Sequence, residues 1–537
     1  MKVDEETVSR YRELAARDRD AFLPDLASSL YYYGKGLFDL GRHAAASKAS
    51  EEAVTLYREL AAKDRDGSLL GLATSLYYLG GELFSLRHYE EALKIAEEAV
   101  TLYHELAAKG RSTFLPDLAG SLHNLGSVLS LLDRHEEALN ASEESVAIRR
   151  ELATKDRDAF LPKLAMSLNN LSTMLSNLGR REEALKASEE TVAVGRELAT
   201  KDHDAFVPDL AMSLNNLSIR LANMGRPAEA LRAAEETVAI RRELVKKNRD
   251  AFLPNLARSL NSLANRLSAV GRREEALRAS EETATHFREL AAKNRDAFVP
   301  ELASSLNTLS TMLSKLGRRE QALKASEETV AIRRELVAKN RGRFMPDLAG
   351  SLNNLGTILF NLARFEDALR VNEEAVTIFR EFAAKNAEAF GPDLAKSLSS
   401  LGVALAKHDR HDEALQVTEE AVAIQRELTA KNRDAVLPDL ASSLNSLGNR
   451  LASLGCRKEA LRASEAAVTL YRELVAKNRN AFLPDLAASL NSLSNRFVNF
   501  DRRKEALNAR DEANAIQREL ARRIEQNEVD RPDSGPR

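Results

Sequence analysis

Cysteine is almost absent from the chain: Cys456 stands alone among 537 residues. An internal disulfide and a thiolate metal cluster are therefore excluded, and an intracellular, cytoplasmic location is the expected one. Net charge is almost absent too. Lys and Arg number 78 against 81 Asp and Glu, with both signs interspersed throughout. Affinity for a phosphate backbone rests on a surplus of cations, so nucleic acid is not an expected partner. No apolar run approaches the length needed to span a bilayer, which argues against a membrane partner, and the charged stretch from Met1 to Asp20 is no secretory signal. Catalytic patterns are also missing. His135-Glu136-Glu137-Ala138-Leu139 lacks the second His of a zinc-binding helix, Gly34-Lys35-Gly36 follows no strand, and no phosphate-binding loop occurs. His408, Asp409, His411 and Asp412 fall in an expected turn, where polar residues are ordinary. Neither catalysis nor a cofactor or metal is expected.

What is present is a period. Proline recurs from Pro24 to Pro484 at multiples of 46 residues, with Leu70 standing in for it in the second copy. Fixed-period self-similarity over most of a chain marks a solenoid, in which each unit buries its apolar face only against its neighbours. Eleven copies are expected over residues 24–524.

Each copy reads as two helices. In the third, Leu118, Leu122, Leu125, Leu129 and Leu132 fall three or four apart and form one apolar stripe. Pro116 is expected in the first turn of this helix A, where its missing N–H has no intrahelical partner. Gly179, Gly225, Gly271, Gly317 and Gly455 sit where a helix ends with positive φ. Helix B runs from about Glu136 to Lys155 on Ala138, Leu139, Val146, Ile148 and Leu152. Glu59 and Lys63, Glu151 and Lys155, and Glu335 and Lys339 have the favourable i,i+4 order.

Leu122-x2-Leu125-Gly126-x2-Leu129, followed by Asp133-Arg134-x-Glu136-Glu137-Ala138, resembles the tetratricopeptide repeat, and Leu161 to Val194 is similar to repeats of the kinesin light chain type. The resemblance implies an all-α, right-handed solenoid of antiparallel helix pairs whose helix A faces line a concave peptide-binding groove; HEAT-like or armadillo-like repeats are the alternative. The small residue after the second Leu (Gly34, Gly126, Ser172, Gly356 and their equivalents) lets helices A and B approach closely. The period exceeds the family's usual one, which a longer helix B over Ile148 to Phe160 would explain. Ser142 stands where the family has a larger residue.

Candidate binding residues follow from helix A. Asn169, Asn215, Asn261, Asn307, Asn353, Asn445 and Asn491 form a column, with Asn170, Asn216 and Asn354 beside it. An Asn amide offers two donors and an acceptor, suited to a peptide backbone. In the resembling kinesin light chain repeats such asparagines contact cargo; the bland alternative is that they bond neighbouring helices or water. The first two copies carry Tyr31, Tyr32, Tyr77 and Tyr78 instead, which read either as an anchoring hot spot or as core filling. A strict carboxylate clamp is not expected, because Lys35, Arg258, Lys396, Arg220, Arg266, Arg450 and Arg496 are scattered.

The ends differ from the repeats. Residues 1–23 are expected to be a lone helix B, either a cap or what remains of a truncated repeat, and its open apolar edge leaves self-association open. The last helix B carries Arg510 and Asn514 on its outward face, as a C-terminal cap would. Residues 525–537 are expected to be a disordered polar tail. The reading is an interaction scaffold or adaptor for a protein or peptide; the alternative is the sensor arm of a larger NTPase or caspase-like protein.

Overall fold

The computed structural model describes residues 5–431 and 433–529. Among the described residues there are 23 helices, α1–α23 in chain order, and no strand. The chain divides into two compact units, Met1–Lys247 and Asn248–Arg537. The first holds α1–α11 and the second α12–α23. Within each unit consecutive helices pack together, an even-numbered helix A followed by an odd-numbered helix B. Successive helix A elements also touch one another, so they line the inner face of each unit.

The repeat is built differently from the expectation in one respect. Helix A of the fourth copy, α8 (Arg157–Asn177), begins five residues before Pro162, and helix B, α9 (Arg181–Lys201), stops at Lys201. Both helices are 21 residues long, so the added length is shared between them rather than carried by helix B alone. The reason is the cap. Asp156, in an extended conformation (φ −140°, ψ 93°), accepts a bond from Ala159 N at 3.0 Å and so starts α8, while its own N–H closes the preceding helix onto Leu152 O. Asp18, Asp64, Asp202, Asn248, Asn294, Asn340 and Asn386 cap in the same way. Proline thus sits past the first turn and forfeits one backbone bond. The copy with Leu70 starts its helix at the equivalent place, Arg65, without it.

The other turn is a left-handed C-cap. Gly179 has φ 74°, and its neighbour's N–H reaches back from Arg180 to Leu175 O at 2.8 Å, the pattern of a Schellman motif. The same position has positive φ in every copy, even where Arg87, Asp133, Ala363, Asp409 and Asp501 replace glycine.

Burial follows the period. Leu76, Leu168, Leu306, Leu352 and Leu398 are wholly enclosed on helix A, as are Ala92, Ala184, Ala276 and Ala368 on helix B. Each such leucine contributes about 2 kcal/mol of transfer free energy. Small residues set the A–B distance. A β-carbon on Gly126 would lie 2.8 Å from Ser142 Oγ, and Ser172 instead hydrogen-bonds Ala184 O at 2.9 Å. Ser142 is small because helix A passes directly over it.

Charged side chains at the start of helix A reach helix B of the same copy. Arg157 donates to Glu197 at 2.7 Å, Arg295 to Glu335 at 2.7 Å and Arg341 to Glu381 at 2.6 Å, each pair 40 residues apart. Lys339 turns to Asp296 at 2.6 Å, and this displaces the i,i+4 pair expected between Glu335 and Lys339. Glu151 and Lys155 do pair, at 3.0 Å.

The ends depart from the expected boundaries. α1 (Glu5–Arg17) closes at Asp18, the cap of α2 (Arg19–Asp39), so the first helix A begins at Arg19 rather than Pro24. α23 (Arg503–Val529) continues as helix through residues 525–529, and the rest of the expected tail lies outside the described residues. Arg510 and Asn514 are exposed on it.

Candidate functional site

In the first unit, four tyrosines gather on α2 and α4 (Arg65–Ser85). Ring centroids lie 4.8 Å apart for Tyr31 and Tyr32, 5.4 Å for Tyr31 and Tyr78, and 5.3 Å for Tyr77 and Tyr78. Lys35 Nζ stands 5.2 Å from the Tyr78 centroid, within cation–π range. Burial, and then the adjacent Tyr78, push the Tyr31 phenol well above its ordinary range. Tyr77 is pushed up mainly by burial, and its ring rests against Gly120, where a β-carbon would come within 3.4 Å. Tyr32 remains 41% exposed. Tyr31, Tyr77 and Tyr78 are half-buried, and Tyr32 is the exposed ring of the four.

The asparagines meet across repeats. Asn216 Nδ2 donates to Asn169 Oδ1 at 2.7 Å, and Asn170 Nδ2 to Ser127 Oγ at 3.1 Å. In the second unit Asn354 Nδ2 donates to Asn307 Oδ1 at 2.9 Å, and Asn445 Oδ1 accepts from Ser489 at 3.1 Å. Asn353 Nδ2 donates to Ser397 Oγ. Part of the amide capacity is spent on joining neighbouring helices. Asn215 and Asn491 are half-buried on the same line, and Asn261 Oδ1 is enclosed without a partner.

A second column was missed by the sequence reading. In eight repeats one helix B residue passes between two helix A elements to the inner face: Tyr57, Tyr103, Arg149, Phe287, Arg333, Phe379, Gln425 and Tyr471, whereas Gly195 leaves that position without a side chain. Arg149, 6% exposed, donates from Nη1 to Lys163 O and Ser167 Oγ, both at 2.6 Å, and burial lowers it to about 10. Arg333 reaches Asp347 at 2.6 Å and Ser304 at 2.7 Å. The signal was present in the sequence. In Ile148-Arg149-Arg150 the two arginines look alike, yet the first position changes to Tyr, Phe or Gln elsewhere while the second stays basic and pairs outward, as Arg150 does with Glu190. His123 occupies the Asn column between Tyr77 and Asn169. Burial, then the Arg149 cation, hold it down at about 4.

The second unit carries a cavity of about 590 Å³ on this face. Asn261, Ser304, Asn307 and Asn354 contribute from successive helix A elements, Arg333 and Phe379 from the floor, and Asp347, Asp393 and Lys396 from its edge.

Sequence models described as "Tetratricopeptide repeat" match residues 72–107, 210–249, 256–289, 302–340 and 440–478, and, for a second such model, 117–197 and 347–427. Together these segments cover more than half of the chain. The chain belongs to the tetratricopeptide-repeat family. A model described as "Anaphase-promoting complex subunit 5" also matches residues 37–82. No curated protein matches the chain significantly. Among solved structures, BtubC (BKLC) of P. vanneervenii is similar at 22% identity over 45% of this chain and 90% of that one, with a TM-score of 0.37. Nearly identical TPR-like repeats of a Podosopora anserina chain named for kinesin light chain are similar at 24% identity, covering 41% of this chain and 96% of that one, with a TM-score of 0.33. The apo form of RapI shares 13% identity over 58% of this chain and 99% of that one, with a TM-score of 0.42. Tetratricopeptide repeats are in general non-catalytic scaffolds that bind protein partners. No helix among the described residues is long and apolar enough to cross a membrane.

Proposed function

We propose that this tetratricopeptide-repeat protein is a scaffold or adaptor that binds an extended protein segment along its helix A faces, with the tyrosine corner of the first unit as an anchor. The observation that carries the reading is the contrast within the corner: three half-buried rings fix the framework and Tyr32 stays exposed beside them, with Lys35 against the Tyr78 ring. Large rings held rigid before binding lose little entropy on contact, as interface hot spots do. The asparagines flank such a segment and supply amide groups for its backbone.

The test compares the chain with its Tyr32→Ala/Tyr78→Ala variant as baits against a cell lysate at moderate salt, read by mass spectrometry. Prey held by the parent and lost by the variant, with helicity and melting unchanged, is the expected result. Equal retention moves the anchor away from the tyrosines, and no prey removes the reading.

A further inference from the structure

The scaffold reading leaves the ligand's chemistry open, and the second unit narrows it. The position that follows the recurrent proline is acidic in five consecutive copies: Glu301, Asp347, Asp393, Asp439 and Asp485. The cations facing them are fewer. Arg258 reaches Glu301 at 3.0 Å, Arg333 takes Asp347, and Lys396 serves both Asp393 and Asp439. Among the described residues no cation pairs with Asp485. The three last carboxylates are open to water at the groove's edge, yet the protein around them displaces enough bulk solvent to raise each above its ordinary range. The half-buried arginines Arg450 and Arg496 lie eleven residues further along their helices, about 16 Å away along the axis, and so form a separate band.

An independent observation comes from Asn353. It is 5% exposed and lines the 590 Å³ cavity, and its Oδ1 has no partner. The amide's orientation is determined. Ser397 Oγ donates its only hydrogen to Asp393 O at 2.9 Å, so it can only accept from Asn353, which must present Nδ2 to Ser397 and Oδ1 to the other side. A buried acceptor left unpaired costs free energy that a donor on a ligand recovers. The wall of this cavity thus holds an acceptor that lacks a donor, and the acidic row that passes along its edge has more carboxylates than facing cations.

Resting on the groove reading above, we propose that the second unit's groove takes a basic segment: an extended peptide whose Lys or Arg side chains meet the Asp393 and Asp439 carboxylates while a backbone N–H donates to Asn353 Oδ1. Specificity arises because an acidic segment meets the same half-desolvated carboxylates and is repelled.

Three fluorescein-labelled peptides, identical except for Arg, Gln or Glu at alternate positions, are titrated into the full chain at 150 mM salt and read by anisotropy. The Arg peptide is expected to bind best. Asp393→Asn/Asp439→Asn weakens it about tenfold, whereas Glu320→Gln/Glu366→Gln, two exposed acids elsewhere, leaves it unchanged. Lys396→Gln, which removes the competing cation, tightens it severalfold, and a gain of affinity is not a symptom of misfolding. Equal binding of all three peptides, or equal loss in the Glu320/Glu366 control, overturns the proposal while leaving the groove reading intact. Failure of every peptide to bind also overturns it; the groove reading itself falls only with the tyrosine-dependent capture.

Discussion

Asn372 stands directly over Gly356: a β-carbon on that glycine would lie 2.1 Å from Asn372 Oδ1. Elsewhere the same contact is Ser188 against Ser172, at 2.6 Å. The two positions trade volume between helices A and B, so Gly356→Ala is expected to destabilise the second unit by about 2 kcal/mol. Adding Asn372→Ser restores most of the loss. Chemical denaturation of the singles and the double measures the coupling, and simple additivity would disprove the trade.

The left-handed turn yields a paired expectation. Ala363, at φ 59°, occupies a conformation that glycine adopts freely, as Gly179 does at φ 74°. Ala363→Gly is expected to stabilise slightly or leave stability unchanged, and Gly179→Ala to cost about 1 kcal/mol. Thermal melting of both variants decides it.

Two buried groups set opposite pH limits on the first unit. Glu82 is fully enclosed with Ser50 Oγ at 2.9 Å, and burial raises it to about 7. Its folded pKa lies above the unfolded value, so stability falls as pH rises from about 4.5 to about 7 and is then level. His123 is lowered to about 4, so stability falls as pH drops from about 6.5 towards 4. Glu82→Gln is expected to raise the melting temperature at pH 8 and not at pH 4. His123→Asn, which extends the Asn column, should protect at pH 4.5 alone.

The Arg–Glu ladder between successive helix B elements is exposed, and its effect is screened by salt. Reversal of one rung by Arg150→Glu should lower the melting temperature at low salt, and Glu190→Arg should restore it. At 1 M NaCl the difference between the single and the double reversal should vanish.

Much of this was legible beforehand because it depends on spacing. The period, the two helices, the buried Leu and Ala columns and the left-handed glycines all follow from where apolar and small residues recur. The helix starts were misplaced because proline is conspicuous, whereas Asp156 and its equivalents, one ordinary polar residue serving two helices at once, are not. Whether the asparagines are free or bonded to neighbouring helices stayed open because a linear sequence does not show that Asn216 reaches Asn169 across 47 residues. The groove floor was hidden for the same reason: Arg149 and Arg150 are chemically identical, and only the path of helix B separates an enclosed cation from an exposed one.

Links between copies recur at near-constant offsets: an Arg on helix B finds its Glu on the next helix B 40 residues on, as Arg150 finds Glu190, and a groove-face amide finds its partner 43 to 47 residues away. Excising one whole 46-residue copy from the interior of a unit therefore joins surfaces that already match, and duplicating one does the same. Selection can lengthen or shorten the array copy by copy with little loss of fit, and each event reshuffles the order in which the variable floor residues meet a ligand.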